Sequence, residues 1–230
     1  MRLLPLPGVF EPPSDAWMLV RTLDGEALDP GARVLDLCTG SGALAIAAAR
    51  RGAHEVVAVD ISRRAVLAAR LNARLNGLRI DARRGDLFAA VPGERFDLIV
   101  SNPPYLPGPE LPRSGPARAW EGGPRGRAFL DRICAGAPQH LRAGGRVLLV
   151  HSSLCDETAT VGALEEGGLE ACVVARYPGP LGPRLSARAA WLRAQGLLGA
   201  EEHEEIVIVR GTAPGATRPR AAGLQRQSAK

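Results

Sequence analysis

Asn102-Pro103-Pro104-Tyr105 places a side-chain amide, two rigid imide carbonyls and an aromatic ring within four residues. That set suits one chemical problem. The NH2 of an amide or of an aromatic amine is a poor nucleophile because its lone pair is delocalised, and losing that conjugation is the barrier to alkylation. If the Asn102 side-chain oxygen and the Pro103 carbonyl accept the two N–H bonds, the nitrogen is drawn towards a pyramidal geometry with its lone pair exposed. Tyr105 would stack on the planar group or on the cation formed from it. No metal and no covalent intermediate are required. Asn-Pro and Pro-Pro are also ordinary loop punctuation, so the motif needs support from what surrounds it.

Three acids supply that support. Asp36 opens the run Asp36-Leu37-Cys38-Thr39-Gly40-Ser41-Gly42, a glycine-bearing turn that leads into the apolar segment Ala43–Arg50. Asp60, followed by Ile61, lies 24 residues further on, the spacing from which a carboxylate can accept both hydroxyls of a ribose. Asp86 could accept from an adenine amino group while Leu87 packs on the ring. Each acid alone is as well explained as a cap or turn residue. Together, beside a glycine turn, they favour a nucleoside cofactor. An acid ahead of the glycines suits the cationic amino group of a methionine moiety and would repel a pyrophosphate. S-adenosylmethionine is therefore preferred over a dinucleotide, with Cys38, Thr39, Gly40 and Gly42 lining its turn and Asn102 adjoining it.

These residues need elements that bring them to one edge. From Arg33 to Arg210 short β-like runs alternate with helical segments, the signature of βαβ units and a mostly parallel sheet. Strands are expected at Arg33–Leu37, Glu55–Asp60, Arg79–Arg84, Phe96–Ser101, Gly145–His151, Glu170–Tyr177 and Glu205–Arg210. Helices are expected at Ser14–Leu28, Gly42–Arg51, Arg63–Asn76, Gly126–Leu141, Asp156–Glu166 and Pro183–Gly196, with Ser14 and Asp15 as caps of the first. The acids and the Asn-Pro-Pro-Tyr motif then fall at carboxyl ends of strands one to four, where open α/β sheets bind ligands. Leu106–Arg125 is irregular and Pro/Gly-rich.

With 230 residues, 46% hydrophobic and 23% charged, the chain fits one soluble α/β domain over residues 1–210, of which 1–30 form an N-terminal segment and helix. No apolar run approaches the roughly 20 residues needed to span a bilayer, and no export signal is read at the N-terminus. The net charge of +5 sits mostly in residues 211–230, a basic tail expected to be disordered, since Arg218, Arg220, Arg226 and Lys230 lie there without acids. Cys38, Cys134, Cys155 and Cys172 show no metal-ligand spacing. A cytoplasmic, metal-free protein is expected. His54, His140, His151 and His203 are expected at the surface or at helix ends, and Trp120 either in a satellite cluster or in a substrate-pocket wall.

With DLCTGSG, Asp60 and SNPPY at these spacings, the chain resembles the release-factor glutamine N5-methyltransferases, the HemK family. Glu11-Pro12-Pro13-Ser14-Asp15 is similar to the EPxxD entry of the family's short branch, which lacks a separate N-terminal helical domain. Ala119-Trp120-Glu121-Gly122-Gly123, with Gly126-Arg127 and Asp131-Arg132, is similar to the AWxGG segment of that branch. The resemblance implies a seven-stranded, Rossmann-like class I fold, S-adenosylmethionine as methyl donor, and a protein glutamine, typically that of a Gly-Gly-Gln loop, as acceptor. It also implies that Asp36, Asp60, Asp86, Leu87 and Asn102 fall on cofactor or substrate positions and Asn102 to Tyr105 on the catalytic motif. Cys38 stands where the family usually has glycine, a change tolerated at negative φ. Ala16 stands where the short branch often has a cofactor-contacting hydroxyl. That branch often works with a small zinc-containing activator on the open edge of the third strand. Here the edge, Arg79-Ile80-Asp81-Ala82-Arg83-Arg84, is charged and resists pairing, so the chain is expected to be soluble without one.

Adenine N6 or cytosine N4 of a nucleic acid presents the same electronic problem as an amide. About 40 residues between Tyr105 and the fifth strand leave no room for a separate recognition domain, which tilts the reading to protein glutamine. A small-molecule N-methyltransferase and a cofactor-binding scaffold without turnover are the other readings.

Overall fold

The computed structural model describes residues 1–6, 9, 14–26, 28–200 and 202–215. The strands β1 (Arg33–Leu37), β2 (Glu55–Asp60) and β4 (Phe96–Ser101) are nearly continuous β-branched and aliphatic runs, and each is buried on both faces. That makes them the centre of a sheet completed by β3 (Asp81–Arg84), β5 (Leu141–Ser152), β6 (Glu170–Pro180) and β7 (His203–Thr212). The order is β3-β2-β1-β4-β5-β7-β6, parallel from β3 to β5, with β7 antiparallel to both β5 and β6.

Helices α1 (Ser14–Asp24), α2 (Ala43–Arg50) and α3 (Arg63–Leu75) cover one face, where Leu19, Leu23, Leu44 and Val66 pack on Val34, Val56, Leu98 and Leu148. Helices α4 (Leu130–His140) and α5 (Glu157–Glu166) cover the other, with Ile133, Ala137 and Leu164 over Leu35, Val57, Ile99 and Leu149. The order and orientation of the strands make this the class I, Rossmann-like methyltransferase sheet expected from the alternating pattern. Among the described residues no helix is long and apolar enough to cross a membrane.

Differences from the expected elements have local causes. α4 starts at Leu130 rather than Gly126, because Gly126 sits at φ 71°, outside helical space. The helix expected over Pro183–Gly196 is two short ones, α6 (Pro183–Ser186) and α7 (Ala189–Ala194), whose Leu185, Ala189 and Leu192 make a satellite cluster with Leu181 and Leu198 between β6 and β7. β7 runs past Arg210 to Thr212, and Ala213 N then donates to Gly145 O at 2.8 Å, so the domain boundary expected at residue 210 falls inside a strand. Residues 216–230 of the expected tail lie outside the described residues. His151, expected at the surface, is fully buried in β5, and burial lowers its pKa to about 4.

Candidate active site

The turn after β1 carries three consecutive demands on the backbone: Cys38 at φ 58°, Gly40 at φ 53° and Gly42 at φ 86°. The expectation of negative φ at Cys38 is therefore wrong. A non-glycine residue in the left-handed region costs on the order of 1 kcal/mol, and the turn holds it there with Thr39 N donating to Val59 O at 3.1 Å and Gly40 N to Asp60 Oδ2 at 3.0 Å. Gly42 serves packing rather than ligand approach: a Cβ there would lie 2.9 Å from Ala69 Cα, so its absence lets α2 settle on α3.

Asp36 is fully buried beneath the turn. Its Oδ2 accepts from Thr39 Oγ1 at 2.5 Å and from Ala45 N at 3.0 Å, tying the turn to the start of α2. Its Oδ1 has no hydrogen-bond partner among the described residues. Burial, aided by repulsion from Asp60, pushes its pKa up to about 7. Asp60 accepts from Gly40 N and, through Oδ1 at 2.8 Å, from Ser62 N, and burial raises its pKa as well. Asp86 is ion-paired with Arg132 of α4 at 2.8 Å, both half-exposed, and Leu87 beside it is buried at φ 48°.

Cys38, Thr39, Gly40, Asp60, Ile61, Asp86, Leu87 and Asn102 all line one cavity of about 420 Å³, within the range typical of small-molecule sites. Asp36 and Gly42 are not among the lining residues. Ala16 of α1 is, and so is the turn Pro116–Ala119 of the irregular segment after Tyr105, with Arg118 facing the Asp60 charge. The irregular segment after Tyr105 thus forms part of the wall of this cavity. Its position is fixed from β6–β7: Arg188 pairs with Glu121 at 2.9 Å and donates to Pro107 O at 2.8 Å, while the Arg184 guanidinium lies 4.3 Å from the Trp120 ring centroid. Trp120 itself does not line the cavity.

β4 delivers the Asn-Pro-Pro-Tyr motif to the cavity edge, with Ser101 Oγ donating to Leu37 O at 2.8 Å across to β1. Asn102 and Pro104 line the cavity; Pro103 and Tyr105 do not. The Tyr105 ring, expected to stack on a planar acceptor, is instead buried with Leu130 and Cys155, and its hydroxyl donates to the buried carboxylate of Asp15. Asp15, expected as a helix cap, is 5% exposed; burial raises its pKa, while hydrogen bonds from Tyr105, the Ala16 backbone and the Asn102 side chain oppose the shift. Gly126 lets its backbone approach the motif closely, since a Cβ there would lie 2.1 Å from Tyr105 O. Asp15 and Arg118 are the site residues that sequence reasoning missed. In the sequence Asp15 reads as a helix cap and as the acid of the EPxxD segment, without a partner in the site, and Arg118 carries no signal.

Residues 2–114 match the model of the methyltransferase small domain. A Methanocaldococcus jannaschii protein classed with the protein N5-glutamine methyltransferases is 39% identical over 177 residues, covering 76% of this chain and 87% of its own length. The chain belongs to the protein N5-glutamine methyltransferase family. Another of this family's relatives, the release factor glutamine methyltransferase of Geobacter sulfurreducens, is 35% identical over 180 residues, 75% of this chain and 63% of its own length. The chain thus spans under two thirds of that longer enzyme. Among solved structures, the Encephalitozoon cuniculi Mtq2–Trm112 complex, described as methylating the eRF1 termination factor, shares the fold at TM-score 0.63 and 23% identity, covering 90% of this chain and 99% of its own. The Thermus thermophilus 16S rRNA N2 G1207 methyltransferase, solved with AdoMet and guanosine, superposes at TM-score 0.54 with 27% identity, covering 90% of this chain and 46% of its own. The fold of the glutamine methyltransferases is thus shared with enzymes of other acceptors, and the family is assigned by sequence.

Proposed function

We propose that this chain transfers a methyl group from S-adenosylmethionine to the side-chain amide nitrogen of a protein glutamine, with the Gly-Gly-Gln loop of a peptide chain release factor as the first substrate to test. The observation that carries the reading is Asn102 in the wall of the cavity that also holds Asp60, Asp86 and Leu87. The cofactor fits this donor set: Asp60 for the ribose hydroxyls, Asp86 and Leu87 for adenine, and Gly40 with the start of α2 for the methionine moiety. When bound, its sulfonium supplies the electrophilic methyl group. Asn102 Oδ1 and the Pro103 carbonyl would accept the two N–H bonds of the glutamine amide and expose its lone pair. The stiffness of two prolines keeps those acceptors from relaxing away.

The names of the sequence relatives favour protein glutamine over a nucleic-acid base. Labelled methyl transfer to release factors, to their Gln-to-Ala variants and to nucleic acid tests this: label confined to the glutamine loop is expected, and label in nucleic acid with none in protein overturns it. Asn102→Ala is expected to abolish transfer while cofactor affinity stays within about threefold. At the β3 edge, Arg83 pairs with both Asp81 and Glu94, consistent with a chain that is soluble without an activator subunit. Insolubility cured by co-expression with such a subunit would refute that part.

A further inference from the structure

The wall that Pro116–Ala119 contributes to the cavity has no polar anchor of its own. Among the described residues no hydrogen bond or ion pair joins residues 109–119 to anything outside the loop 106–123. What holds the segment is its neck. Leu106 N donates to Trp120 O at 2.7 Å, Gly122 N to Leu106 O at 2.9 Å and Gly108 N to Gly123 O at 3.1 Å, so the chain leaves and returns at one place. Arg188, immediately before α7, spans both sides of that neck: Nη1 donates to Pro107 O on the outgoing side, and Nη2 pairs with Glu121 on the returning side. The two side chains are 24% and 12% exposed, so salt screens the pair weakly. Gly108 lies against it. A Cβ there would be 2.6 Å from Glu121 Oε2 and 2.7 Å from Arg188 Nη1, so the outgoing stem is shaped around the pair.

From this geometry we infer that Arg188 is a latch: a positioning residue that keeps Pro116–Ala119 closed against the cofactor and so sets how fast the spent cofactor leaves. The inference rests on the cavity being the cofactor site, as proposed above. It gives the two short helices between β6 and β7 a part in turnover, because their buried Leu185, Ala189 and Leu192 are what hold Arg188 in place. Breaking the neck frees the wall but leaves Asp60, Asp86 and Asn102, which are placed by the strands, where they are. An arginine suits the task because its planar fork reaches two acceptors in fixed directions, whereas a lysine ammonium is a single point charge.

The test is Arg188→Met, which keeps an apolar stem and removes both bonds. Losing hydrogen bonds to a charged group predicts release of S-adenosylhomocysteine, followed by stopped-flow fluorescence, roughly 10- to 100-fold faster. Association should stay within about threefold of wild type, which a generally damaged cavity would not allow. Gly108→Ala perturbs the same contact from the other side. Gly108 is outside the left-handed region, so the added methyl displaces the pair without straining the backbone, and release should quicken roughly 3- to 10-fold. On a Glu121→Gln background, where no carboxylate is left unpaired, Arg188→Met should have a smaller effect than on wild type. The further readout needs no ligand: the amides of Leu106, Gly108 and Gly122 should be protected from hydrogen exchange in wild type and lose that protection in Arg188→Met, while those of β1 and β4 keep theirs. Release within threefold of wild type in Arg188→Met, affinity lost through slower association, or unchanged exchange at the neck overturns the latch. If Arg188→Met does not fold, Gly108→Ala decides by the same two readouts. A wild type that binds no S-adenosylhomocysteine refutes the cofactor reading and not the latch, which exchange at the neck then decides.

Discussion

Replacing Asp36 by asparagine should make the protein more stable at pH 8 and leave it unchanged near pH 4. Asp36 is fully buried, takes both of its hydrogen bonds on one oxygen, and has its pKa raised from 3.8 to about 7, mainly by burial. Between those two values the folded chain keeps a proton that the unfolded chain has released, so stability falls as pH rises through the window and levels off above it. At about 1.4 kcal/mol per unit, three units give an upper limit of roughly 4 kcal/mol. Asparagine can accept the Thr39 and Ala45 bonds with its oxygen and place its NH2 where Oδ1 now has no partner, so relief of about 2 to 4 kcal/mol is expected at pH 8. For a domain of this size that raises Tm by roughly 5 to 10 °C. Asp15 and Asp60 also have raised pKa values and lower stability in the same direction in both proteins, so the difference between the two isolates Asp36. Urea unfolding of both proteins from pH 4 to 8 is the assay. A constant difference across that range, or a less stable variant at pH 8, refutes the reasoning. Calorimetry separates this structural role from direct contact with a methionine ammonium: affinity for the cofactor kept within about threefold fits an acid outside the cavity wall, whereas a tenfold loss would return Asp36 to the ligand.

Ala16 lines the cavity, so Ala16→Thr adds a hydroxyl to its wall and should tighten cofactor binding about fivefold, one hydrogen bond of order 1 kcal/mol; unchanged or weaker affinity in calorimetry would show that the hydroxyl finds no partner on the ligand. Gly126→Ala combines φ 71° with a Cβ 2.1 Å from Tyr105 O and 2.6 Å from Cys155 Sγ. It should cost about 3 kcal/mol or more, lower Tm by roughly 6 to 12 °C and depress transfer; a Tm within 2 °C of wild type would mean that the loop yields freely.

The central half of the molecule was readable because its signals are local. β1, β2 and β4 begin and end where their apolar runs do, and Ser62 caps α3 by accepting from Ala65 N, as a serine before a helical pattern should. Asp60, Asp86, Leu87 and Asn102 meet at one cavity because successive parallel strands deliver their ends to one edge. What sequence patterns could not convey were contacts between distant segments. Asp15 looks like a cap until Tyr105 is placed against it, and Trp120 gives no sign of Arg184 at its face. His151 looks polar and therefore exposed, but it is fully buried and pairs with Val207 of the antiparallel β7, more than 50 residues further along the chain. Cys38 misled in the other direction, because φ depends on the turn's hydrogen bonds and not on the residue that occupies it.

The place of β7 between β5 and β6 has a consequence for how the protein comes into being. On a ribosome the half that lines the cavity, β1 to β4, emerges first and can pair as it appears, since each strand after β1 finds a neighbour already made. β5 can join β4 as it emerges, but its other edge and the whole of β6 have no partner until a strand translated after them appears. Until β7 arrives, Val147 to Val150 lie along an open apolar edge, and the satellite helices that brace the Trp120 segment have no hairpin to close them. Slow, non-local pairing of this kind is the step most exposed to aggregation. A nascent chain stalled before residue 203 should hold a nearly complete cavity with an unsupported wall.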